Sequence, residues 1–207
     1  MAIKKNAYYI IGGILALFSW ITILCVLTPF KSIFDVFVRL GVLLGFTCLF
    51  LATFTTPFMK QLYQLFGKPF MTLHHYFSIS GLVLITLHPV FFAIEVGSIG
   101  VFIPRFDSWI VFWELAGRPA LYIIYIAVLA VLIRKSISPK LWRALHGLNY
   151  IGLFFAYIHG LLIGTDFKNP GIFITFTIMI VLVGVALLYK RYLKYRLQKK
   201  MQSKRSE

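Results

Sequence analysis

The chain has 207 residues, of which 60% are hydrophobic, 17% aromatic and only 13% charged. Ordinary soluble domains run at roughly 45–50% apolar and 25% charged, so this composition excludes both a conventional soluble enzyme and a disordered chain. The formal net charge of +15 would suit a nucleic-acid binder, but its placement along the chain ties it to membrane topology instead.

Six apolar segments follow one another, at residues 8–27, 34–54, 76–96, 120–133, 148–163 and 172–189. At about 20 residues per crossing, each reads as a membrane-spanning helix, the fourth and fifth extending into their flanks. The first is followed by Thr28-Pro29-Phe30-Lys31 and has no small-x-small cleavage site, so it reads as a retained helix and not a cleaved signal. Cys25 and Cys48 sit inside apolar runs and no Cys-x-x-Cys occurs. They are expected as small buried side chains, outside any disulfide framework or iron–sulfur site. Residues 99–117 mix Trp109, Phe112 and Trp113 with Arg105, Asp107 and Glu114, which suits a loop or short helix at the membrane interface.

The basic residues fix an expected orientation. With the N-terminus in the cytoplasm, that side holds Lys4, Lys5, Lys60, Lys68, Arg134, Lys135, Lys140, Arg143 and the eight cations from Lys190 to Arg205, 16 of the 21. Lys31, Arg39, Arg105, Arg118 and Lys168 fall on the other side, together with every acid except Glu207. The positive-inside rule then places both termini in the cytoplasm. The expected fold is all-α, a six-helix transmembrane bundle over residues 1–190 with a basic cytoplasmic tail at 191–207. That tail is of the kind that lies against anionic lipid headgroups, so no nucleic-acid partner is required.

All five histidines fall on the third and fifth segments or at their ends: His74, His75, His88, His146 and His159. Ligand-capable side chains at membrane depth are costly and point to function. Fourteen residues separate His74 from His88, which brings them to within about 40° of one helical face and about 20 Å apart along the axis. His75 points elsewhere. His146 and His159 are 13 apart and share a face only if that helix is distorted or frayed near His146. Both helices run from cytoplasm to outside, so His74 lies level with His146 and His88 level with His159. Two facing imidazoles are the axial ligand set of a b-type haem. A bare zinc or copper ion would find only two ligands at each level.

The phrases LHHYFSISGLVLITLHP, ELAGRPALYI and LWRALHGLNYIGLFFAYIHGLLIG, with paired histidines on the third and fifth helices, resemble the ferric reductase-like transmembrane domain. That family includes the haem domains of NADPH oxidases and ferric reductases and the haem subunit of the bacterial methionine sulfoxide reductase system. The resemblance spans about residues 39–171. It implies two b haems, ligated by His74, His88, His146 and His159, carrying electrons across the membrane from a cytoplasmic flavin. The oxidases and ferric reductases carry a flavin and nicotinamide domain that is not seen here, and no phosphate-cradling Gly-rich loop occurs. The sulfoxide-reductase subunits match in size but typically lack the histidine corresponding to His74.

The function expected from these readings is that of a dihaem membrane cytochrome b in the plasma membrane, serving as the electron-transfer component of an oxidoreductase. Its donor would be FAD or FMN, loosely bound or on a cytoplasmic flavoprotein or flavin reductase. Its acceptor would be ferric iron, dioxygen or an extracytoplasmic partner reductase. Arg39, one turn into the second helix, and Arg118, at the outer end of the fourth, are candidates for binding haem propionates. Arg39 could equally snorkel or pair with Asp35. Two rivals stand beside this reading: a quinol-linked cytochrome b, and a proton or ion transporter with a histidine relay.

Overall fold

The computed structural model describes residues 4–67 and 70–203; Lys68, Lys204, Arg205 and Glu207 of the charge reading lie outside that range. Nine α-helices occur among the described residues: α1 (Lys5–Val26), α2 (Ile33–Phe54), α3 (Met59–Phe66), α4 (Phe70–Val96), α5 (Trp109–Glu114), α6 (Gly117–Leu132), α7 (Pro139–Gly147), α8 (Asn149–Ile163) and α9 (Pro170–Ser203). No strand accompanies them. Local chemistry sets several boundaries. The hydroxyls of Ser32, Ser108 and Ser138 accept from backbone N–H groups three residues on and cap α2, α5 and α7. Gly67, at φ 62°, ends α3 in the left-handed region.

Five helical stretches are long and apolar enough to cross a membrane: Lys5–Val26, Ile33–Phe66, Met71–Val96, Pro139–Ile163 and Pro170–Ser203. The fourth expected span is different. The α6 helix has 16 residues, about 24 Å of rise against a hydrocarbon core of about 30 Å. At the other end of the chain, α9 runs unbroken from Pro170 to Ser203, so the described part of the basic stretch after residue 190 continues the last helix. Apart from Tyr192, Tyr195 and Ser203 it is built from Lys, Arg, Leu, Gln and Met, all good helix formers, with no Gly or Pro to interrupt it.

The buried core lies mainly among α1, α2 and α9, with Ile21, Leu43, Phe46, Phe176, Met179 and Val183 almost fully enclosed. Two antiparallel helix pairs stand beside it, α2 with α4 and α6 with α8. Small residues bring each pair together. A Cβ on Gly45 would lie 2.8 Å from the Ile85 backbone nitrogen, and one on Gly81 would lie 2.8 Å from Leu49 Cγ. On α8, a Cβ on Gly152 would lie 2.6 Å from Ile124 Cγ1. Close backbone approach through glycine is the ordinary way for helices to associate where no hydrophobic drive separates them from lipid. The spacing Gly41-x-x-x-Gly45 places both glycines on the α4-facing side of α2. Here that closeness also decides what the histidines can reach.

Candidate functional site

On α4, His88 Nδ1 donates to Val38 O at 2.8 Å and His74 Nδ1 donates to Ala52 O at 3.1 Å. Both acceptors belong to α2 and are spaced, like the histidines, by 14 residues in the opposite direction. The second pair repeats the arrangement. His146 Nδ1 donates to Ala127 O at 3.1 Å, and His159 Nδ1 donates to Glu114 O at 2.6 Å, with 13 residues between the histidines and 13 between the carbonyls. A carbonyl oxygen only accepts, so Nδ1 must carry the hydrogen in all four imidazoles. This fixes the tautomer and makes Nε2 the lone-pair nitrogen. The Nδ1–H to carbonyl bond is the usual outer-shell support of a histidine that ligates through Nε2.

The four side chains fall at two levels. His74 and His146 face each other with ring centroids 6.2 Å apart and planes inclined at 68°. Two imidazoles on one metal, each at about 2 Å through nitrogen, put their ring centroids about 6 Å apart. His88 and His159 line one cavity of about 80 Å³ with Leu43, Phe46, Tyr157 and Asp166. That cavity is smaller than a tetrapyrrole, so the fit of such a ligand rests on the donor set and not on enclosed volume. Among the described residues no group of three or more His, Cys, Asp or Glu side chains could hold a metal ion. A tetrahedral zinc centre therefore finds no four-ligand set, whereas a ligand that brings its own equatorial donors needs only two axial imidazoles.

The distortion that the 13-residue spacing demands is present. The helix breaks between α7 and α8, where Leu148 N–H bonds back three residues to Leu145 O at 3.0 Å and Asn149 Nδ2 donates to His146 O. A 3₁₀ turn advances about 120° per residue instead of 100°, which swings His146 toward the face of His159. At the His88–His159 level Gly117, of the Gly-Arg-Pro sequence that opens α6, makes room for the His159 ring. A Cβ there would lie 2.6 Å from His159 Cδ2 and 2.8 Å from its Nε2. His75 is exposed and turned away, its ring 6.1 Å from that of His74.

The two arginines differ. Arg39 is 5% exposed and all five of its N–H groups are engaged. Nε and one Nη2 hydrogen go to the Asp166 carboxylate, the other Nη2 hydrogen to Cys25 O, and Nη1 to Thr28 O and Pro29 O. The side chain also lies 4.6 Å over the Phe30 ring and 3.6 Å from Asp35. Arg39 thus clamps α2 to the end of α1 and to the turn before α9, and has no N–H left for a propionate. Arg118 donates one N–H to Ile103 O at 2.6 Å, and its charge is within electrostatic reach of His159.

Sequence reasoning missed three participants. Asp166 pairs with Arg39 across 127 positions, a separation no local pattern reports; it sits in the polar turn Gly164-Thr165-Asp166-Phe167-Lys168, which carries no local sign of a buried partner. The Glu114 carbonyl belongs to the unpartnered last turn of α5, so this short interfacial helix supplies the acceptor for His159. Trp142 stacks on His146 with centroids 5.9 Å apart and planes 11° from parallel. Outside the helices that carry the site, Arg105 bonds Asp107 at 2.7 Å in the loop before α5 and holds that carboxyl below the usual carboxylate range.

Comparison with known proteins gives no match: no family model fits the chain, and no characterised protein or solved structure is similar to it.

Proposed function

We propose that the protein is a dihaem b-type membrane cytochrome, His74 with His146 holding the inner group and His88 with His159 the outer one. The observation that carries this reading is the fourfold repeat of one hydrogen bond, Nδ1–H to a neighbouring helix carbonyl, at two levels of paired imidazoles. A relay of protons would need each ring free to change tautomer, and these four are each tied to one. When bound, the two haems supply one-electron transfer between the faces of the membrane. The chain's own work is to hold them. Glycine contacts set the α2–α4 and α6–α8 distances, the carbonyls orient the rings, and the 14 residues between His74 and His88 separate the levels by about 21 Å.

The topology in this reading has six crossings with both termini in the cytoplasm. Its support is that α6 runs beside α8 from the Glu114 level to the Ala127 level, the full distance between the two histidine pairs. The basic cytoplasmic ends accord with it. Arg118 lies where it can take an outer carboxylate, and Arg39 is assigned to the structural clamp. A reduced FAD or FMN on a cytoplasmic flavoprotein is the proposed donor. Ferric iron, dioxygen or an extracytoplasmic reductase is the proposed acceptor, and the plasma membrane is the proposed location.

A dithionite-reduced minus oxidised spectrum of the purified protein, with a pyridine haemochrome assay, tests this. The reading expects close to two b haems per chain. Protein made with ample haem supply that carries none would overturn it in favour of the transporter reading.

A further inference from the structure

The α9 helix buries Ile172, Phe176, Met179, Val183 and Ala186 against the bundle, and Ala186 is the last of its buried residues. Tyr189 still stacks on Phe58 at 6.0 Å, and Phe58 follows, by six positions, Ala52, whose carbonyl holds His74. From Leu188 to Ser203 every residue except Leu193 is exposed, yet the helix continues. This length carries Lys190, Arg191, Lys194, Arg196, Lys199 and Lys200, and α9 holds no Asp or Glu. Lys190 with Lys194 and Arg196 with Lys200 are four apart, a spacing at which like charges repel. At 100° per residue the six cations are spread round the helix with no gap wider than about 80°. A helix lying in the membrane interface needs an apolar stripe wider than about 100°, so this one does not lie flat. Carried on along the axis of its span, it puts Lys199 and Lys200 about 14–15 Å past Lys190. The headgroup layer adds only about 5–8 Å on each face, which leaves both cations about one Debye length clear of lipid charge.

We propose that the projecting part of α9, residues 190–203, is the docking helix for the acidic face of a soluble flavoprotein, the donor to the inner level. This rests on the dihaem reading and deepens it, naming the partner's surface chemistry and where it seats. A cationic rod without acids of its own is matched by carboxylates, which a partner protein brings to Arg196, Lys199 and Lys200 and the bilayer does not. Opposed potentials of this kind speed association and orient a partner more than they add lasting affinity, which suits a donor that must leave after each delivery. The helix leaves the bundle beside the turn that follows Ala52. A protein held on it is thereby presented to the end of the bundle where His74 and His146 face each other. Exposed Tyr192, Tyr195, Leu197 and Met201 lie among the cations and give such a partner apolar contact as well.

The test uses the full chain in phosphatidylcholine nanodiscs, titrated with oxidised flavodoxin, an acidic FMN protein. Met201→Cys, carrying an environment-sensitive fluorophore, reports the occupant, since Cys25 and Cys48 are buried. The expected result is a saturable shift of the label that weakens with added salt. Its affinity falls about tenfold in Arg196→Gln/Lys199→Gln/Lys200→Gln, the worth of three exposed charge pairs. Arg196→Lys/Lys199→Arg/Lys200→Arg keeps the charges and binds like wild type. Haem content, read by the haemochrome assay, is the same in all of them, so docking is scored apart from the cytochrome reading. No saturable shift with flavodoxin, or one equal in wild type and the glutamine variant, would overturn the proposal and leave the dihaem reading standing. A shift produced by discs containing phosphatidylserine and not by flavodoxin would overturn it as well, assigning the helix to anionic lipid. Wild-type protein without haem would remove the donor role together with the cytochrome reading.

Discussion

Asp166→Ala isolates the clamp that joins α2 to the end of α1 and the turn before α9. In the wild type the Arg39 guanidinium and the Asp166 carboxylate, 5% and 6% exposed, are joined at 2.6 Å. Removing one member of a buried pair typically costs about 3–5 kcal/mol, because the remaining charge is stranded. Asp35, 3.6 Å from Arg39, and the carbonyls of Cys25, Thr28 and Pro29 compensate in part, which puts the cost near the low end, about 3 kcal/mol. For a chain of this size that corresponds to about 6–12 °C in the thermal midpoint. The double variant Arg39→Met/Asp166→Leu removes both charges and fills similar volume, so it should recover at least half of that loss. Intrinsic tryptophan fluorescence on heating in detergent reads both. An Asp166→Ala midpoint within about 2 °C of wild type would refute the argument, as would a double variant no more stable than the single.

Gly117→Val should push the His159 ring off Glu114 O, since a Cβ already meets the ring at 2.6 Å; the haemochrome assay should then find the outer haem lost and the inner one retained. Gly45→Leu should force α2 from α4 at the point where a Cβ lies 2.8 Å from Ile85 N, an overpacking cost of about 1–3 kcal/mol seen as a lower thermal midpoint with weakened retention of both haems. In the loop before α5, the Arg105 bond lowers the Asp107 pKa, so any stability it contributes is present above the ordinary carboxylate range and lost as pH falls through the depressed value. Arg105→Gln should return that titration, followed by carboxyl NMR, to the usual range.

Much of this arrangement was legible in the sequence. Apolar length gives the helices, and the 14-residue step from His74 to His88 places both on one face of α4. The 13-residue step to His159 even demands the break that appears between α7 and α8, because one helical period cannot satisfy it. The number of long spans was less legible. The Gly-Arg-Pro opening and the Arg134-Lys135 end confine α6 to 16 residues, while hydropathy alone suggests another full crossing. The carbonyl acceptors were invisible for a different reason: backbone oxygens carry no sequence label, and only the glycine contacts of α2 and α4 bring Val38 O and Ala52 O within reach. For Arg39 the expected pairing with Asp35 is present at 3.6 Å, while its main partner Asp166 was not legible because it lies in a turn that long-range packing brings to it. The helical course of α9 past residue 190 was masked by charge, which marks topology but does not stop a helix.

The most direct test of the central claim is the haem content of the four single variants His74→Ala, His88→Ala, His146→Ala and His159→Ala, with the spectrum of whatever haem remains. The account predicts that the His74 and His146 variants each lose the same inner component. The His88 and His159 variants should each lose the outer one, so that four substitutions yield two spectra. A variant that keeps both haems, or a pairing in which His74 and His88 lose the same component, would contradict it.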